Sequence, residues 1–476
     1  MRREGTGVST DDISAFATAA ELGRALASGA TTAEAVTRRA LDRIAAHDGA
    51  LHSFVVTLPE AAIEAAKESD ERRRQGKAKG PLDGAPFAAK DLFHVAGQPT
   101  CAGSLALDVK AQTATANAVT RLADAGMVLV GKVHTVEFAF GSWGTNPVAG
   151  TPLNPRDPAV PRAPGGSSSG SGVAVAAGLV PAALGTDTGG SVRNPAGMCG
   201  VVGLKTTVGR VGRGGLLALA TSFDSVGPLA RSVEDAALLF EALSGRDPDD
   251  PATYGVPPVR LDTLEQGVAG LRLRVPAASN LASVQPAVME RFRAALADLE
   301  ALGAVIEERP MPQAPEAYMA LTGDLMAAEA WHNLGRYVDV ENSVVDPAIR
   351  ARVLKGRAID AARYQQLLED RRAAQVAFAH YLDGAGAMLT PTSPILPPPV
   401  AEIDEATTPL GTFTRFVNLM DAAALSVPVG LMGDGLPTAL QIVVPRFEEA
   451  TALRIGRALE RKRGGLFQPP SGYDAP

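Results

Sequence analysis

Apolar positions recur at helical spacing near the start of the chain and then break into short runs between turns. Val36, Ala40, Leu41 and Ile44 fall on one face of a helix, and Thr31 and Glu34 stand three apart, as in a capping box. A second helix is predicted over residues 59–74, ended by the polar stretch 75–80. From Pro81 the pattern changes. Residues 86–89 predict a short buried strand leading into Lys90 and Asp91, residues 116–125 a helix, and residues 127–130 a strand. Helix, strand and loop in alternation imply an α/β fold with helices covering a sheet.

Residues 144–215 are dense in Gly, Ser, Thr and Pro, yet carry apolar runs such as 173–177 and 201–204. A surface linker would not hold such runs, so a packed core of irregular loops is expected, and loops of that kind carry function. After Ser232 a helix is expected, with Val233, Ala236, Ala237 and Phe240 in register. Residues 246–258 read as a polar, Pro-rich connection. A strand at 271–275, a helix face of Val288, Phe292, Leu296 and Leu299, a helix end at Gly303 and a strand at 305–306 make a βαβ unit. Residues 313–382 read as mostly helical, with strands returning at 387–390 and 439–444. The whole is expected to be one domain with a helical N-terminal part (about 1–75), a core (about 80–240), a variable part (about 258–382) and C-terminal strands and helix (about 385–465).

Composition narrows the function classes. A net charge of −7 argues against nonspecific nucleic-acid binding. The two cysteines, Cys101 and Cys199, make neither a metal-ligand spacing nor a disulfide framework, and free, buried thiols in a reducing compartment are the expectation. Arg2 and Arg3 are followed by Glu4, Asp11 and Asp12 where a signal peptide needs an apolar core. The longest near-apolar stretch, 173–184, is broken by Gly178 and Pro181 and is too short to span a bilayer. A soluble, cytoplasmic protein with no membrane partner is expected.

Three segments carry candidate chemistry: Gly84-Ala-Pro-Phe-Ala-Ala-Lys90-Asp91, Pro164-Gly-Gly-Ser167-Ser168-Ser169-Gly170 and Gly185-Thr-Asp187-Thr188-Gly189-Gly190-Ser191-Val-Arg193. Each alone is weak. Together they hold what amide cleavage requires: a serine hydroxyl, a base to take its proton, and glycines that let backbone N–H groups converge on an oxyanion. The turn Thr188, Gly189, Gly190 and Ser191 is the candidate oxyanion hole.

These segments, with Cys199-Gly-Val-Val-Gly-Leu-Lys205, resemble the amidase signature family, most densely from Asn146 through Ala236. The resemblance implies a single α/β/α domain, with a large mixed sheet covered on both sides by helices. It implies a triad of Ser191 as nucleophile, Ser167 as bridging serine after a cis bond to Gly166, and Lys90 as base, with no metal and no organic cofactor. A lysine can serve as base only when uncharged, so Lys90 must be buried, with Asp91 facing away. Ser168 is read as a buttress. Asp187 and Arg193 are read as a buried ion pair shaping the oxyanion loop, against the alternative that Arg193 binds a substrate carboxylate. Cys199 is read as packing.

Residues 166–170 also spell a nucleophile elbow, which would need His332 or His380 downstream. Residues 126–132 have phosphate-loop spacing, but Val133 stands where Ser or Thr should hold magnesium. The expected activity is hydrolysis of a small-molecule amide, with no nucleic acid and at most a second copy of the chain as partner. The alternative is the A subunit of a tRNA-dependent amidotransferase, which the chain also resembles, releasing ammonia within a complex.

Overall fold

Eleven strands form one sheet in the computed structural model, which describes residues 13–473. Arg2, Arg3, Glu4, Asp11 and Asp12, on which the signal-peptide argument rests, lie outside the described residues. The strands are β1 (Phe54–Thr57), β2 (Pro86–Lys90), β3 (Val128–Val133), β4 (Ala182–Asp187), β5 (Val202–Lys205) and β6 (Ser225–Ala230), followed by β7 (Arg272–Pro276), β8 (Val305–Arg309), β9 (Ala387–Pro391), β10 (Ala423–Leu431) and β11 (Pro437–Val444). Their order across the sheet is β1-β3-β2-β4-β6-β5-β10-β11-β9-β7-β8. All four sequence regions thus contribute to the same sheet.

Alternation along the strands covers both faces. In β10, Leu425 and Val427 pack with Val233 and Phe240 of the helix Val233–Leu243 and with Phe292 of the helix Pro286–Ala301. Ala424, the residue before Leu425, faces the helices Pro315–Val338 and Ala361–Leu382 through Leu325, Leu334 and Phe378. In β2, Ala88 joins Val36, Ile44 and Ala66 on one side, while Phe87 and Ala89 join Val119 and Leu239 on the other. This period of two is what places successive side chains in opposite helix layers.

Two expectations need correction. The helix Ala33–Leu51 is capped by Thr32, whose hydroxyl accepts from the Ala35 N–H at 3.1 Å, and not by Thr31, whose hydroxyl has no partner among the described residues. Glu34 pairs forward with Arg38, and Asp70 takes the Ala33 and Glu34 N–H groups. An earlier helix, Ala19–Ser28, carries the complete capping box, on Thr18 and Glu21. The region 144–215 is also more regular than its composition suggests. Residues read as irregular core loops form the helix Ser169–Ala176 and the strands β4 and β5, all buried. Small side chains are needed there because backbones approach closely. A Cβ on Gly170 would sit 2.4 Å from the Ser53 carbonyl oxygen. The phosphate-loop spelling falls on β3, where Lys132 is buried in the sheet.

Candidate active site

Strands β2 and β4 run parallel and adjacent, with Ala89 beside Leu184. Their carboxyl ends therefore emerge together, and these ends carry Lys90 and the turn that leads to Ser191. The third segment enters between them. The Gly166–Ser167 peptide is cis, and the helix Ser169–Ala176 starts two residues later and packs on β4.

Lys90 is fully buried behind Phe87, Ala88 and Ala89. Its Nζ hydrogen-bonds Ser167 Oγ at 2.7 Å and Thr186 Oγ1 at 2.8 Å. Burial pushes the lysine down to about 7, against the carboxylates of Asp187 and Asp224, which act in the other direction. Asp91 takes no part, because it lies 2.5 Å from Lys132 Nζ in a buried ion pair of its own.

The loop bearing Ser191 is held by Asp187 and Arg193. Arg193 donates to Asp187 through Nε (3.0 Å) and Nη2 (2.8 Å), and its remaining N–H groups go to Thr414 O, Gln441 Oε1 and Asn418 Oδ1. All five donors are engaged, so Arg193 has none left for a substrate. Burial works to raise the Asp187 carboxyl, but the charge and hydrogen bonds of Arg193 outweigh it and hold the carboxyl well below the ordinary range. Asp187 also accepts from the N–H groups of Gly190 (2.8 Å) and Val192 (3.0 Å). The expected oxyanion hole is therefore corrected at Gly190, whose N–H is already taken. The N–H groups of Thr188, Gly189 and Ser191 have no acceptor among the described residues. Thr188 donates its hydroxyl to Asp224 at 2.6 Å, and burial pushes the Asp224 carboxyl up to about 6.

Ser191 is 7% exposed, whereas Lys90 and Ser167 are wholly covered. Its carbonyl accepts from the Ser168 N–H at 3.1 Å, which docks the two serine segments together. Its hydroxyl has no hydrogen-bond partner among the described residues, so the link between Ser191 and Ser167 is one of placement rather than of a formed bond. The Ser168 hydroxyl bonds the backbone of Thr186 and not the side chains of Lys90, Ser167 or Ser191. Cys199 is buried against the Pro164 carbonyl, and burial pushes its thiol up to about 12.

Sequence reasoning missed Thr186 and Asp224. Thr186 could have been found, since it sits in β4 beside the strand that bears Lys90. Asp224 reaches the site from the start of β6 and carries no local signal. No histidine is bonded to Ser167, Ser168 or Ser169 among the described residues, so the elbow reading lacks its base.

A family model described as Amidase matches residues 35–453. The chain belongs to the amidase family. One relative, the A subunit of the glutamyl-tRNA(Gln) amidotransferase of Chloroflexus aurantiacus, is 38% identical over 469 residues, covering 92% of this chain and 94% of that protein. Among solved structures, a protein from a vestigial complex tied to the origins of an s-triazine catabolic enzyme superposes with a TM-score of 0.88 at 32% identity, covering 95% of this chain and all (100%) of the other. A crystal structure of an amidase superposes with a TM-score of 0.83 at 34% identity, covering 94% of this chain and 100% of that one. The single mixed α/β sheet expected of the amidase family is the one observed.

These relatives correct the expectation about partners. A small-molecule amide as sole partner, with no nucleic acid and at most a second copy of the chain, does not fit a relative that is by name one subunit of an enzyme named for a tRNA. The catalytic segments report the chemistry of the buried site, and assembly surfaces leave no mark in them. Among the described residues no helix is long and apolar enough to cross a membrane.

Proposed function

We propose that this amidase-family chain cleaves a carboxylic amide by acyl transfer to Ser191. The observation that carries the reading is the fully buried Lys90 amine, 2.7 Å from Ser167 Oγ. An ordinary lysine is uncharged in fewer than about one molecule in a thousand at neutral pH. Pushed down to about 7, Lys90 spends a large share of its time as a free base. In the proposed cycle Lys90 draws the proton of Ser167, which takes the proton of Ser191 as its oxygen attacks the amide carbonyl. The N–H groups of Gly189 and Ser191 receive the oxyanion. The proton returns along the same path to the departing nitrogen, and water then cleaves the acyl-Ser191 ester.

The curated relatives favour one setting for this chemistry: the ammonia-releasing A subunit of a tRNA-dependent amidotransferase, working with companion subunits. A free amide hydrolase is the second reading, favoured by the TM-score of 0.83 to a structure called simply an amidase. Release of ammonia from glutamine, measured with the purified chain alone and after mixing with companion subunits of a relative, tests the first. Glutaminase activity that needs the companions supports the reading as part of a complex. Rapid cleavage of simple amides by the chain alone, unchanged on mixing, would favour the second. Loss of all activity in Ser191→Ala and Lys90→Ala is expected under both.

A further inference from the structure

Two arginines pack against the loop that carries Ser191, and they are opposites. Arg193 has five protein acceptors for five donors. The side chain of Arg415, one residue beyond the Thr414 whose hydroxyl bonds the Gly189 carbonyl at 2.9 Å, has no hydrogen bond, ion pair or ring contact among the described residues.

Its course is marked by glycines. A Cβ on Gly189 would lie 3.4 Å from Arg415 Cγ, one on Gly411 would come within 2.9 Å of its Nε, and one on Gly323 would lie 3.9 Å from its Nη1. The side chain therefore crosses the nucleophile loop two residues from Ser191 and reaches toward the helix Pro315–Val338, with Met326 also against Gly189. It is partly exposed, so it is not sealed in the core.

No carboxylate among the described residues is paired with this charge. Arg352, the charged neighbour acting on it, is itself a cation, and its own partner is Glu405 at 2.9 Å. Burial pushes the Arg415 guanidinium down to about 10, and Arg352 adds to that effect, yet the group stays charged at neutral pH. An unpaired, largely desolvated guanidinium is unfavourable unless something supplies the missing anion. A planar fork of N–H groups matches a carboxylate with two parallel bonds.

We propose that Arg415 receives a carboxylate of the substrate, so that this chain prefers amides that carry a carboxylate on the acyl side of the bond cleaved at Ser191. The inference rests on the acyl-transfer reading and names the substrate class for it. The carboxylate could be the α-carboxylate of glutamine or that of an amide without an amino group, and the test includes both.

Purified full-length protein is labelled at Ser191 with a fluorophosphonate in the presence of glutaramate, glutamine or the neutral valeramide. Wild type is expected to be protected by glutaramate at a concentration at least about 30-fold below that required for valeramide, the scale of a charge-assisted hydrogen-bond pair. Arg415→Met is expected to lose that preference, and Arg415→Lys to keep part of it, with melting temperatures showing that both variants fold. Protection by glutamine equal to that by glutaramate would identify an amino-acid amide, and protection by glutaramate alone a simple acid amide; both support the proposal. Equal protection by valeramide in wild type, or a preference for the anion that persists in Arg415→Met, overturns it. Failure of wild type to label at Ser191 sinks the acyl-transfer reading and this inference with it.

Discussion

Asp91 gives its carboxylate to Lys132, at 2.5 Å, and not to Lys90, its neighbour in the chain. Strand β2 ends between the two, so their side chains leave on different sides. The consequence is chemical. A carboxylate paired directly with Lys90 would keep it charged, whereas the two acids that do act on it, Asp187 and Asp224, are occupied by Arg193 and Thr188.

The pH dependence follows from that arrangement. The base must be uncharged, so kcat/KM is expected to rise as pH increases through about 7, where Lys90 loses its proton. A pH–rate profile measured from 5 to 9 (roughly, the range over which such a group titrates) checks this. A flat profile across neutrality would mean that another group is the base.

Asp224→Asn should move that acid limb. The Asp224 carboxylate raises Lys90, so removing its charge lets the lysine lose its proton at lower pH. The amide oxygen can still accept from the Leu219 and Ala220 N–H groups, while the NH2 on the other side donates to the Thr188 hydroxyl oxygen in place of accepting from it. A downward shift of the limb is expected, together with some loss of kcat. An upward shift would contradict the assignment.

Thr186→Val tests the aim of the lysine. The substitution removes one of the two hydroxyls bonded to Lys90 Nζ and keeps the branched shape. We expect kcat to fall by about tenfold with KM little changed, the order of one hydrogen bond lost around a charged or reacting group. A KM effect alone would place Thr186 in substrate binding instead.

Arg193→Met should be a folding defect before it is a catalytic one. It strips a fully buried Asp187 of its cation and leaves Thr414, Gln441 and Asn418 without their donor. Breaking a buried pair in this way destabilises by about 3–5 kcal/mol. Denaturant unfolding of the variant measures it, and a loss below about 1 kcal/mol would contradict the structural role.

Much of this site is legible in the sequence because its parts lie in compact segments. Lys90, Ser167 and Ser191 each sit in a run whose neighbours announce burial or a tight turn. What is not legible comes from tertiary approach. Spacing alone nominates Gly190 as an oxyanion donor, but its N–H is claimed by Asp187, three residues earlier. Thr31 and Thr32 are the same residue type side by side, and only the Asp70 carboxylate and the first turn of the helix decide which one caps it. Arg415 and Asp224 lie far along the chain from the segments they meet, and nothing local marks either. The strands in 144–215 are hidden by small residues, which are there because backbones pass closely, not because the chain is loose.

Which oxygen becomes acylated decides the mechanism. Wild-type protein and the variants Ser191→Ala, Ser168→Ala and Lys90→Ala, each treated with a fluorophosphonate and digested, should show the added mass on the peptide containing Ser191 in wild type and in Ser168→Ala. Ser191→Ala should take up none, and Lys90→Ala should react far more slowly. Mass on Ser167, Ser168 or Ser169 with Ser191 unmodified would contradict the assignment of Ser191 as nucleophile.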